Sequence, residues 1–98
     1  MTSTELLGKL REQADAIRGM GATSLYLFGS ASRDEATYQS DVDLFIDYDE
    51  SRRFSLLDLV GIKQLLEERI SADVDITTRD SLHPMLKESI ERSAIRVF

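Results

Sequence analysis

The sequence predicts an α/β (α+β) fold, a small sheet of about three strands flanked by about four helices. Three observations lead there. Segments 4–19 and 56–69 carry apolar residues at helical spacing, and a third such segment closes the chain. Segments 25–28, 41–47 and 72–77 alternate with strand period instead. Ninety-eight residues suffice for one hydrophobic core and not for two, so residues 1–98 are expected to form a single domain.

In the first helix Thr2 or Ser3 serves as cap, with Glu5 placed for a capping box from Thr2. Leu6, Leu7, Leu10, Ala14 and Ile17 form its apolar stripe, and Gly19 and Gly21 end it. Leu25 and Leu27 then alternate with Tyr26 and Phe28, a strand apolar on both faces. Residues 31–36 read as a short helix and 37–40 as a polar turn. In the second strand Val42, Leu44 and Ile46 leave one face, while Asp41, Asp43 and Asp47 leave the other. A loop over 51–55 carries Arg52 and Arg53.

The second long helix is capped by Ser55, with Asp58 as box partner. Its buried side and flank are marked by Leu56, Leu59, Val60, Lys63, Leu66 and Ile70. Gly61 within it costs about 1 kcal/mol relative to Ala and is read as a sign of close helix–sheet contact. The third strand points Val74 and Ile76 inwards, with Asp73, Asp75 and Thr77 on the other face. Asp80 or Ser81 caps the last helix, Pro84 stands in its first turn, and Leu82, Leu86, Ile90, Ala94 and Val97 pack inwards. His83, the sole histidine, reads as a loop or helix-start residue rather than a base or ligand.

Composition excludes several classes of function. Twelve basic against eighteen acidic residues leave a net charge of −6, which argues against non-specific binding to nucleic-acid backbones and is compatible with a basic partner. With no cysteine, neither disulfides nor thiolate metal ligation is available. No apolar run has the length of a membrane span, and the N-terminus lacks a basic-then-apolar signal pattern. No membrane association is expected, and a cytoplasmic location fits.

The chemistry concentrates between Leu25 and Asp47. A strand ends at Gly29-Ser30, ten residues intervene, and the next strand opens Asp41-Val42-Asp43. Gly29 brings a backbone without Cβ and Ser30 a small hydroxyl, which together let a phosphate approach main-chain N–H groups at a helix start. Asp41 and Asp43 lie roughly 6–7 Å apart on one strand face, close enough to share one or two hard cations. A lone Gly-Ser is usually a turn and a lone Asp-x-Asp a solvated strand edge; their order along the chain favours the functional reading. Arg33 lies one helical turn beyond Ser30, reaching a phosphate or simply solvated. If the third strand lies beside the second, Asp75 joins Asp41 and Asp43 above the sheet.

Gly29-Ser30, ten residues and Asp41-Val42-Asp43 resemble the GS-x10-D-x-D motif of the DNA polymerase β-like nucleotidyltransferases. Gly-Ser-Ala-Ser-Arg-Asp-Glu-Ala followed by Ser-Asp-Val-Asp-Leu is similar to the minimal nucleotidyltransferases, often antitoxin partners of HEPN-domain toxins. The resemblance runs from about Tyr26 to the C-terminus. It implies the mixed sheet of the polymerase β-like fold, a third carboxylate at Asp75 and a phosphate role for Arg33. Asp34 departs from the pattern, standing where many relatives have Gly.

On this reading Asp41, Asp43 and Asp75 are the catalytic and metal-binding acids, and Gly29, Ser30 and Arg33 bind the nucleotide. Oxygen-only ligation favours Mg²⁺, with Mn²⁺ as an alternative. The expected reaction moves AMP from ATP to a partner's hydroxyl, the partner being a HEPN-domain toxin. With three strands and four helices filling the chain, no second domain is expected to bind the acceptor. The alternative is a non-catalytic antitoxin that masks its toxin by contact. Transfer to a small molecule or tRNA is a third possibility that the acidic balance disfavours.

Overall fold

The computed structural model describes residues 2–29 and 42–98. Thr2 caps α1 (Ser3–Glu12), its Oγ1 accepting from the Glu5 N–H at 3.1 Å. The single helix expected over 4–19 is broken at Gln13, and α2 (Ala14–Gly19) begins directly after it. The Gln13 N–H bonds Leu10 O at 3.1 Å, a three-residue step that tightens and closes the last turn of α1. Leu6, Leu10 and Ile17 still all reach the core.

Strand β1 (Ala22–Phe28) runs antiparallel to β2 (Val42–Tyr48). Helix α3 (Leu56–Ile70) crosses from β2 to β3 (Val74–Thr78), which lies parallel to β2. A 3₁₀ turn, Arg79–Ser81, leads to α4 (Pro84–Ser93) and then β4 (Ile95–Arg96), antiparallel to β1. The sheet order is β3-β2-β1-β4, a mixed sheet.

One face of this sheet is the core. Leu25, Leu27, Leu44 and Ile46 are fully buried there against Leu10, Ile17, Ile62 and Leu66 from the helices. Ser55 and Asp58 form the expected cap of α3, with the Ser55 N–H donating to Asp58 Oδ2 at 2.8 Å. The buried side of α3 agrees with expectation at Leu66 and Ile70 and differs towards its start, where Ile62 is buried and Leu56 and Val60 are exposed. Gly61 faces Met20 rather than the sheet; a Cβ there would stand 3.0 Å from the methionine methyl. The close approach at Gly61 is therefore to the flexible end of the residue closing α2.

The end of the chain also differs from expectation. His83 rather than Asp80 or Ser81 caps α4, its Nδ1 accepting from the Met85 N–H at 3.2 Å. No residue of α4 is buried, and Leu86 is exposed rather than inward-facing. The helix stops at Ala94, and β-branched Ile95 and Val97 extend the chain beside β1 as a fourth strand. The Val97 N–H donates to Leu25 O at 2.8 Å, and Arg11 Nε donates to Val97 O at 2.9 Å. Among the described residues no helix is long and apolar enough to cross a membrane.

Leu44, fully buried, and Leu57, 82% exposed, contrast within this packing. Leu44→Ala should lower the free energy of unfolding by about 2–5 kcal/mol. Leu57→Ala should change it by no more than about 0.5 kcal/mol. Urea denaturation of the two variants measures the contrast.

Candidate active site

The second face of the sheet carries the polar chemistry, and strand register decides which side chains meet. Parallel pairing sets Asp43 opposite Asp75, and antiparallel pairing sets Phe28 opposite Asp43. Partners on adjacent strands lie about 4.8 Å apart. Asp43 is half-buried and Asp75 exposed, so the rung opens to solvent on the β3 side. Directly after Phe28 comes Gly29, at φ +75°, a left-handed conformation that glycine adopts without strain. Its Cα lies under the Asp43 carboxylate. A Cβ built there would collide with Asp43 Oδ2 and stand 3.2 Å from Cγ.

Of the residues singled out from the sequence, Gly29, Asp43 and Asp75 are thus brought together. Ser30, Arg33 and Asp41 lie outside the described residues, as do the short helix expected over 31–36 and the turn at 37–40. Among the described residues no group of three His, Cys, Asp or Glu side chains is placed to hold a metal ion. Among the described residues the rung offers the carboxylate oxygens of Asp43 and Asp75, donors that suit a hard divalent cation. At Gly29 the main chain itself, with no Cβ, stands against the Asp43 carboxylate.

Along the same face, Asp47 is held by a residue to which the sequence reading gave no role. Arg79 donates to Asp47 through Nε at 2.8 Å and Nη2 at 3.0 Å, and to Glu91 of α4 through Nη1 at 2.7 Å. Its guanidinium stands 4.9 Å from the Tyr26 ring centre and 5.2 Å from that of Phe45. The Asp47 hydrogen bonds, joined by those of Glu91, push Arg79 further above its already high range. Between this pair and the Asp43 rung lie stacked Tyr26 and Phe45, 4.8 Å apart, and Phe28, 5.7 Å from Phe45. Spacing offered a signal for Arg79, since it follows Asp75 by four residues as Asp47 follows Asp43.

At the end of β2, Tyr48 follows the alternation of Leu44 and Ile46 and stacks on Phe54 rather than sharing the face of Asp43 and Asp47. Tyr48 donates to Asp80 at 2.9 Å, and Asp80 also accepts from the Thr78 hydroxyl. The Thr78 and Tyr48 hydroxyls hold the Asp80 carboxyl below its usual range, and Asp80 raises the Tyr48 phenol. Two clefts of about 170 and 260 Å³ border Tyr48 and Asp80, and neither is lined by Asp43 or Asp75. Both fall below the roughly 300–1,000 Å³ usual for ligand pockets.

The nucleotidyltransferase domain family matches residues 7–97. A chain of Methanocaldococcus jannaschii provisionally named a protein adenylyltransferase is 40% identical over 77 residues, covering 79% of this chain and 81% of that one. A solved minimal nucleotidyltransferase superposes with a TM-score of 0.74 at 35% identity, covering 97% of this chain and 95% of that one. A chain from the Shewanella oneidensis complex of tri-AMPylated HEPN toxin with MNT antitoxin shares the fold, with a TM-score of 0.63 at 18% identity. That match covers 90% of this chain and 68% of that one. The chain belongs to the nucleotidyltransferase domain family, as one of its minimal members, and is a nucleotidyltransferase enzyme.

Gly29→Ala would combine a disfavoured φ with a collision against Asp43. It should lower stability by at least about 1–2 kcal/mol. Gly8 in α1 has open space at its Cβ position, so Gly8→Ala should raise stability by roughly 0.5–1 kcal/mol. Thermal unfolding of the pair checks both signs.

Proposed function

We propose that this enzyme transfers AMP from ATP to a hydroxyl of a partner protein in a Mg²⁺-dependent reaction, and that it serves as the antitoxin of a HEPN-domain toxin. The observation that carries the reading is the registered rung of Asp43 and Asp75 beside the Gly29 turn. Like charges set opposite each other on paired strands are destabilising. Held between these carboxylates, a divalent cation would supply the charge that offsets the repulsion. The protein adenylyltransferase relative and the HEPN–MNT complex support the acceptor class and the partner.

In this scheme Asp41, Asp43 and Asp75 hold the cations, and Mn²⁺ would suit the same oxygen donors. Bound Mg²⁺ supplies neutralisation of the triphosphate and of the departing pyrophosphate. Gly29 and Ser30 cradle the β- and γ-phosphates through main-chain N–H groups and the hydroxyl, and Arg33 pairs with phosphate oxygen. The acceptor oxygen forms a bond to the α-phosphorus while the bond from that phosphorus to the bridging oxygen breaks. The electron pair leaves with pyrophosphate, and the acceptor's proton passes to Asp75. A tyrosine hydroxyl, with an ordinary pKa near 10, needs such help at neutral pH. Residues 1–98 act here as one cytoplasmic domain whose acceptor is presented by the partner.

A second reading, neutralisation by masking contact alone, draws support from the exposed side chains of Leu56, Leu57, Met85 and Leu86. One experiment separates the two. With α-labelled ATP and Mg²⁺, the wild-type chain should label a HEPN-domain protein from the same genome, and intact mass should rise by whole AMP units. Asp43→Asn should reduce labelling by at least about 100-fold, the scale of losing a group that acts only in the transition state. Undiminished labelling by that variant would remove Asp43 from the mechanism. Full neutralisation by an unlabelling variant would favour masking.

A further inference from the structure

We infer that Arg79 is a positioning residue whose bond to Asp47 locks the parallel register that sets Asp43 opposite Asp75. The inference rests on the reading of those two aspartates as the nucleotide–metal site. Every functional demand on the β2–β3 pair works against its register. Asp43 and Asp75 face each other with like charge, which favours any arrangement that separates them. A one-residue slip would do so at once, because it turns one strand's side chains to the other face.

The same slip breaks the contact at the far end of the pair. Register runs Asp43↔Asp75, Phe45↔Thr77 and Ile46↔Thr78, and Arg79 is the next residue beyond, beside Asp47. There the charges are opposite, and both Asp47 oxygens are engaged, at 2.8 and 3.0 Å. A bidentate guanidinium–carboxylate pair is directional in a way that a lysine contact is not. The pair is also partly shielded, its two side chains being 31% and 32% exposed. The guanidinium lies over Tyr26 and Phe45, so the lock is stacked on β1 and β2 as well as hydrogen-bonded to β2.

Among the described residues one other side-chain contact joins these strand ends, the Tyr48–Asp80 hydrogen bond at 2.9 Å, and it is a single bond between exposed groups. Thr77 and Phe45 offer no charge pairing, and α4 has no buried residue with which to clamp β3 from above. Glu91 ties α4 to Arg79 at 2.7 Å, but from the helix side, without touching the β2–β3 register. The assignment therefore distinguishes the two carboxylates bound by one guanidinium: Asp47 fixes the strands, and Glu91 fixes the helix.

Hydrogen exchange of the full chain and titration with Mn²⁺·ATP test this separately from catalysis. Arg79→Met should lower amide protection across β3 by at least tenfold relative to β1, and weaken Mn²⁺·ATP binding by about tenfold. Glu91→Gln should leave both within twofold of wild type. The reversed pair, Asp47→Arg with Arg79→Asp, should recover most of the binding that either single change loses. Arg79→Met with wild-type β3 protection and wild-type affinity would overturn the proposal, as would equal losses in Glu91→Gln. If wild-type protein fails to bind Mn²⁺·ATP, the nucleotide-site reading fails instead, and β3 protection alone still decides the register lock.

Discussion

Two aspartates set face to face on neighbouring strands are the constraint around which this small domain is arranged. The rung of Asp43 and Asp75 is unfavourable in isolation, since opposed like charges destabilise a strand pair. A sheet tolerates such a rung only when other contacts fix the strands more strongly than repulsion moves them. Here those contacts come from both faces. On one, Val42, Leu44, Ile46 and Val74 are buried beneath the helices and anchor each strand by apolar burial. On the other, aromatic stacking and the Asp47–Arg79 pair supply directional contacts that burial does not.

The glycine beside the rung belongs to the same constraint. Gly29 combines a positive φ with a carboxylate where its Cβ would be, so two independent requirements select the same residue. One concerns the turn at the end of β1 and the other the approach of Asp43. Any larger residue would push against the side chain whose placement the site depends on. Backbone approach is thus built into the strand pairing of β1 with β2, rather than left to a loop.

Much of this was legible in the sequence, for physical reasons that differ by element. Strand period exposed β1, β2 and β3, and the alternation of Asp43 and Asp47 with Leu44 and Ile46 announced which face carries charge. The cap at Ser55 was readable because Asp58 stands three residues on, and the structure forms that bond. What escaped depended on tertiary contact. The break at Gln13 has no Gly or Pro to mark it, and the burial of Ile62 in place of Leu56 and Val60 follows from the core that α3 packs into. Helical spacing at the C-terminus concealed β4, because Ile90, Ala94 and Val97 fit a helix until Val97 finds the β1 edge. Arg79 gained no role because its partners are 32 and 12 residues away in sequence. Only the shared four-residue spacing on two strands hinted at it.

The topology explains why such a small sheet contains a parallel pair at all. Antiparallel neighbours joined by a hairpin place the start of one strand beside the end of the next. Acids that open both strands would then stand at opposite ends of the sheet. Carrying the chain back through α3 makes β2 and β3 start together, so Asp43, second in its strand, meets Asp75, second in its own. The antiparallel partner β1 completes the arrangement from the other side, because its end, and hence Gly29, arrives where β2 begins. A mixed sheet is therefore the simplest arrangement that brings one strand end and two strand starts to a single point. The crossover helix that permits it also supplies Ile62, Leu66 and Ile70, the core beneath that point.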